Sequence, residues 1–165
     1  MNFFQYKQLP HLPPERLRPY TEEIVPHVLK LVYTSEEMRP FAESLGYKGD
    51  PFRWDPKERF ELRCRLDALF FGLYLGFGSW SKPEVAEETV DDFHRLTGYF
   101  PTPLDALDYI MGTFRIVKDK ESDNEEKVAF AREICGEEYD PQKYYPSHAV
   151  IRKFYLDYGG NDPGK

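Results

Sequence analysis

The stretch Asp55-Pro56-Lys57-Glu58-Arg59-Phe60-Glu61-Leu62-Arg63-Cys64-Arg65-Leu66-Asp67-Ala68-Leu69-Phe70-Phe71-Gly72-Leu73-Tyr74 decides the fold. Asp55 can accept a hydrogen bond from the backbone three residues on, Pro56 suits the first helical position, and Glu58 completes a capping-box pattern. Leu62, Leu66, Leu69 and Leu73 then recur at helical spacing and make one apolar face. Phe70 and Phe71 widen that face, so the second half of the helix is expected to be buried on most sides. Glu61 with Arg65, and Arg63 with Asp67, stand four apart and can pair on the exposed side. Gly76-Phe77-Gly78-Ser79-Trp80 breaks the helix.

Other helices are read outward from this one. Upstream, residues 20–34 carry Thr21 as a cap, Glu22 and Glu23 in a first turn favoured by the helix dipole, and an apolar stripe of Val25, Val28, Leu29 and Val32. Pro26 leaves open a later start, with the proline in the first turn. A second helix follows Ser35, with Met38, Phe41, Ala42 and Leu45 on one face and Gly46 as terminator. Residues 47–55 form a loop. Residues 2–9, followed by Pro10, Pro13 and Pro14, read as a short strand or extended arm leading into a proline turn and not as a helix start.

Downstream, Ser81-Lys82-Pro83-Glu84 opens a helix that Gly98 ends. Thr102-Pro103-Leu104-Asp105 opens another, through Met111, with Leu104, Leu107 and Ile110 inward. Residues 119–126 hold five acids against one lysine and read as a solvated loop. Helices over 125–135 and 147–158 finish the chain. The expected class is therefore mainly α, a compact bundle of about six or seven helices with a short extended N-terminal arm. The arm and proline turn occupy 1–19, the helical domain 20–158 and a frayed tail 159–165.

A length of 165 residues fits one domain that needs no disulfide or metal staple. Mean hydropathy is low at -0.66. However, 13 Phe, 12 Tyr and 2 Trp supply large buried areas and argue against disorder. No apolar run approaches the ~20 residues of a membrane span, and the first residues lack a secretory signal's apolar core. Cys64 and Cys135 are too few for a disulfide framework and read as small buried hydrophobes. These features point to a cytoplasmic protein.

A net charge of -7 argues against simple polyanion binding, although a local basic patch is not excluded. Neither GxGxxG nor GxxxxGK[ST] occurs, nor a GxSxG elbow. His11, His27, His94 and His148 are widely separated, without metal-ligand spacing, and read as surface or half-buried. No catalytic residue, metal site or cofactor is expected. The candidate site residues are cations near an aromatic: Arg53, Lys57, Arg59 and Arg63 around Trp54, with Arg115 and Lys118 further on. Such a grouping can hold phosphate and stack a base. The alternative is that these cations pair with Glu58, Glu61 and Asp67, with Trp54 a half-buried anchor. Arg59 and Arg63 share one helix face, while Arg65 points elsewhere.

Three blocks carry a resemblance. The first is Asn2-Phe3-Phe4-Gln5-Tyr6-Lys7-Gln8-Leu9-Pro10 with Leu12-Pro13-Pro14. The second runs from Val28-Leu29-Lys30-Leu31-Val32-Tyr33-Thr34 through Pro51-Phe52-Arg53-Trp54 to Leu66-Asp67-Ala68-Leu69-Phe70-Phe71 and Leu73-Tyr74. The third is Asp108-Tyr109-Ile110-Met111-Gly112-Thr113-Phe114-Arg115-Ile116-Val117-Lys118, and a closing pattern is echoed over residues 145–153. In order and spacing these resemble the C-terminal region of large adenine-specific DNA methyltransferases of restriction-modification and phage-exclusion systems. That group includes BREX-type methylases, type IIG-like enzymes and helicase–methylase fusions. The chain departs from the family's pattern in the segment 79–102, which intervenes where the family has a short loop. It also departs at Gly112 and Arg115, where the family tends to have Asp and Pro.

The family's Asn-Pro-Pro-Tyr-type catalytic motif and methyl-donor glycine motif do not occur in this sequence. The resemblance therefore implies a non-catalytic accessory domain that supports target recognition or DNA positioning. Its partners would be the methyltransferase and target-recognition regions of the same or a neighbouring protein, and DNA. The N-terminal arm offers an exposed edge for homodimerisation. A protein–protein interaction module with no nucleic-acid role is the alternative, in keeping with the acidic charge and surplus of aromatics.

Overall fold

A capped, proline-initiated segment folds as the sequence dictates. Asp55 accepts the Glu58 N–H at 2.7 Å, and the helix it opens spans Pro56–Leu75. The computed structural model describes residues 12–80 and 90–160. The expected arm at 2–9, the helix start at Ser81 and residues 161–165 lie outside that range. In chain order the helices are α1 (Pro14–Leu17), α2 (Thr21–Val32), α3 (Arg39–Ser44), α4 (Pro56–Leu75), α5 (Val90–Tyr99), α6 (Pro103–Thr113), α7 (Arg115–Ser122), α8 (Glu125–Cys135) and α9 (Pro146–Gly160). The chain is mainly α, with more helical segments than expected, and no strand occurs among the described residues.

α4 is the spine because it is buried on two faces. Cys64, Ala68 and Gly72 recur every fourth residue and are all buried, giving a small-residue ridge. α9 packs on α4 more extensively than any other pair of elements does, bringing Val150, Ile151, Phe154 and Tyr155. Leu107 and Met111 of α6 and Ala131 and Cys135 of α8 close the same core. On the other face, Leu69 and Leu73 meet Tyr20, with Leu12, Leu17 and Ile24 alongside. Arg16 donates to the Leu73 carbonyl at 2.7 Å, satisfying one of the carbonyls left open at the end of α4. A separate cluster of Leu29, Tyr33 and Ala42 holds the 47–55 loop through Tyr47 and Phe52. In it Tyr47 stacks on Phe52 at 5.0 Å.

The break after α4 requires glycine. Gly76 has φ 101° and Gly78 φ 74°, a region that favours residues without a Cβ. Tyr155 donates its hydroxyl to the buried Gly76 carbonyl at 2.5 Å, locking the turn to α9. A Cβ on Gly72 would meet the Phe77 ring at 1.9 Å, and that ring is itself stacked on Tyr155 at 5.7 Å. Gly72→Ala is therefore expected to cost about 1–3 kcal/mol of stability, read by urea unfolding, because neither aromatic can yield. A neutral result would show that the break repacks freely.

Several expectations are corrected. Pro13 and Pro14 do not form a plain turn: Pro14 opens α1 from an extended Pro13. A proline at the first helical position loses no hydrogen bond. Thr21 is not a cap, because a 3-10 turn over Arg18–Tyr20 already brings the chain into α2 in helical geometry. Pro26 lies inside α2 and does not start it. It is exposed, as is Glu22, whose carbonyl loses its partner there and can turn to water. Gly98 sits within α5, which ends one residue later. The solvated loop expected over 119–126 is largely helix: α7 runs to Ser122 and turns Glu121 inward. His148 is buried, not at the surface, because Asp108 reaches it from α6. Gly159 and Gly160 continue α9 into the expected tail.

Candidate functional site

The polar first half of α4 shares one long apolar groove with α6, α7 and α9. Arg59, Arg63, Asp67 and Phe71 lie along the α4 bank. Ile110 and Met111 of α6, then Phe114 and Val117 leading into α7, make the opposite bank. Phe60, Cys64 and Ile151 line it further in. The volume is ≈ 640 Å³. That is the size of many ligand or peptide clefts, and it is too open for a sealed core void. A second hollow of ≈ 310 Å³ continues it past Asp67 and Phe71 to Tyr74 and Leu75.

Most polar groups in the wall are already committed. Glu121 is only 6% exposed. Its Oε1 accepts from Lys127 Nζ at 2.7 Å and its Oε2 from the Ser147 N–H at 2.9 Å. The carboxylate thus serves as a cap for the N-terminus of α9, supplied by another helix. Tyr145 donates to the Met111 carbonyl at 2.9 Å, and burial pushes its phenol up to about 12. Burial also raises the Cys64 thiol well above its ordinary value, with the charges of Asp67 and Glu121 adding to the effect. That leaves the thiol neutral at pH 7 and a poor nucleophile. Asp67 is raised by burial, with Arg63 opposing. Among the described residues no group of three or more His, Cys, Asp or Glu is placed to hold a metal ion. The groove offers apolar surface and a few uncommitted charges, an arrangement suited to recognition.

The candidate residues fall into two sets. Trp54, Arg59 and Arg63 line the groove together. Trp54 is 61% exposed, and the Arg59 guanidinium lies 3.7 Å from its ring centroid while donating to the Leu31 carbonyl at 2.7 Å. Arg59 therefore stiffens Trp54, while Arg63 makes no hydrogen bond or ion pair with a described residue. Arg53 and Lys57 turn the other way, into a separate hollow shared with Lys30, Glu58 and Glu61. There Lys57 pairs with Glu133, and Lys30 with Glu58 at 2.5 Å. Arg65 pairs with Glu61 at 2.9 Å and covers Phe154, so its phase opposite to Arg59 is as expected. On α7, Phe114, Val117 and Glu121 face the groove, and the 100° helical step sets Lys118 on the flank beside them. Arg115 falls further round. Both are exposed.

Sequence reading missed the α7 bank. Its signal was the spacing of Phe114, Val117 and Glu121 at i, i+3 and i+7, hidden by the acids around it. It also missed the link between α6 and α9 behind this bank. Asp108 accepts from His148 at 2.8 Å and Arg152 at 3.2 Å. Burial works to raise the Asp108 carboxyl, but these two hydrogen bonds outweigh it and hold the group below its ordinary value.

No family model, curated protein or solved structure matches the chain. Among the described residues, no helix is long and apolar enough to cross a membrane.

Proposed function

We propose that the chain acts as a non-catalytic accessory domain of an adenine-specific DNA methyltransferase of the restriction-modification or phage-exclusion kind. It docks on the target-recognition part and offers charge to DNA phosphate. One observation carries this reading. The second and third blocks of the resemblance, distant in sequence, fold together as the two banks of one groove, and residues 145–151 of the closing stretch complete it. Resembling segments that converge on an open surface are the ones a partner would read. The reading assigns no catalytic residue.

Within it, Arg63 lines the groove with the exposed Trp54, Lys118 lies on its α7 flank and Arg115 further round, and these are the cations left to meet a phosphate backbone. Lys57 and Arg59 act in support. Arg53 lies on the other flank and would meet DNA only if the duplex wrapped past Trp54.

A titration of labelled duplex DNA with the full chain tests the nucleic-acid half. Three phosphate contacts weaken binding by about 40-fold between about 50 and 200 mM salt, and Arg63→Ala with Lys118→Ala leaves about a fourfold dependence. Absent or salt-insensitive binding would remove DNA from the reading. The second reading, a protein–protein interaction module with no nucleic-acid role, would then stand. It is favoured by the apolar banks and by the net charge of -7.

A further inference from the structure

We infer that the groove along α4 receives an amphipathic α-helix of a partner protein, with acidic residues flanking its apolar stripe. The inference rests on the docking half of the proposed function and names the chemistry of what docks. The two hollows share Asp67, Phe71 and Ile110, so they form one trough from Trp54 to Leu75. α4 rises 1.5 Å per residue, so this trough runs for about 30 Å, the length of a helix of about 20 residues. Its walls are largely aromatic and aliphatic side chains, and some remain open to solvent: Phe114 is 49% exposed and Val117 38%. Apolar surface of this extent, bordered by charge, is what the anchors of an amphipathic helix fill at i, i+3, i+4 and i+7.

Charge complementarity selects the flanks of that helix. Arg63 lines the α4 bank, the helical step sets Lys118 on the flank of the α7 bank, and the side chain of neither makes a hydrogen bond or ion pair with a described residue. Glu121 is consumed by Lys127 and Ser147. Asp67 is the other acid on the walls, and the Arg63 guanidinium one turn away on α4 acts on it. The chain as a whole carries -7, so Arg63 in the wall and Lys118 on its flank run against the overall sign. A basic helix would set its charges against Arg63 and Lys118, whereas an acidic one meets both. A DNA backbone satisfies the charges but leaves the apolar walls empty, so with the helix docked the phosphate contact of the proposed function falls to Arg115, beyond the groove.

The test uses the full chain and two labelled synthetic helices of about 18 residues with the same leucine stripe, one flanked by Glu and one by Lys. Fluorescence anisotropy at about 50 mM salt is expected to show the Glu helix binding at least about tenfold tighter than the Lys helix. Arg63→Glu with Lys118→Glu is expected to invert that order. Phe114→Asp, at an exposed position, is expected to weaken the Glu helix by about tenfold or more. Circular dichroism confirms that each variant is folded. Equal binding of the two helices, or binding of neither, overturns the inference. A dimer in sedimentation that Phe114→Asp dissociates also overturns it, in favour of a second copy of this chain. Duplex affinity is measured separately, so its loss sinks the DNA reading and leaves this result standing.

Discussion

Replacing Glu121 with alanine is expected to lower the unfolding free energy by about 3 kcal/mol, near the low end of the cost of breaking a buried ion pair. The side chain joins three helices. It extends from α7, pairs with Lys127 on α8 at 2.7 Å, and accepts the Ser147 N–H at the start of α9 at 2.9 Å. Its removal leaves the Lys127 ammonium without its acid and the α9 N-terminus without a cap. The Lys127 side chain is 37% exposed and can turn to water, which places the cost at the low end of the range. Glu121→Gln keeps the acceptor for Ser147 and loses the charge, so about half the effect is expected. Chemical denaturation with an unchanged slope reads both variants. A loss below about 1 kcal/mol for alanine would mean that α7 is not fastened to the core through this carboxylate. Because α7 is one bank of the groove, the alanine variant is also expected to weaken whatever docks there.

Asp108→Ala is expected to cost about 2–3 kcal/mol at pH 7, because it strands His148, which is 4% exposed, and takes a partner from Arg152. Its pH dependence has a definite sign. The folded carboxyl is held below its ordinary value, so the folded state binds that proton less readily than the unfolded chain does. The stabilisation is fully present above the unfolded carboxylate value of about 4, and it is lost as pH falls through the lower folded value. The stability gap between the native chain and Asp108→Asn that this carboxylate contributes should therefore be present at about pH 5 and close as pH falls further. A gap that widens in acid would contradict the assigned hydrogen bonds.

Where a helix boundary depends on neighbours in sequence, it was legible. The caps at Asp55 and Thr102 act over three residues: Thr102 forms a full capping box at the start of α6, and Asp55 accepts the Glu58 N–H as read, while the Glu58 carboxylate, expected to complete a box, pairs with Lys30. α8 spans the residues expected of it. Where the outcome depends on what lies across the fold, reading failed. Five acids over 119–126 look solvated until Lys127 and the start of α9 supply partners for one of them. Pro26 looks like a helix start until its exposed position shows that the lost hydrogen bond costs little. His148 has no visible partner in sequence, because Asp108 lies 40 residues away.

The candidate site divides along the same line. Arg59 and Arg63 share a face because helical phase is a local property. The same phase turns Lys57 away from them, whereas the separation of Arg53 follows from the path of the 47–55 loop, which the Tyr33, Tyr47 and Phe52 cluster sets. The groove required α6, α7 and α9 to close beside α4. Periodicity announces that those helices exist, and says nothing of where they meet.

Adenine methylation in the source cells, read site by site on native DNA, tests the accessory role most directly. The comparison is between cells carrying the native chain and cells carrying Arg63→Glu with Phe114→Asp, both at exposed groove positions. With the variant accumulating to the native level, the account predicts that modified adenines fall by at least about tenfold, because the methyltransferase loses the contact that positions it. Methylation unchanged at equal protein level would contradict the account.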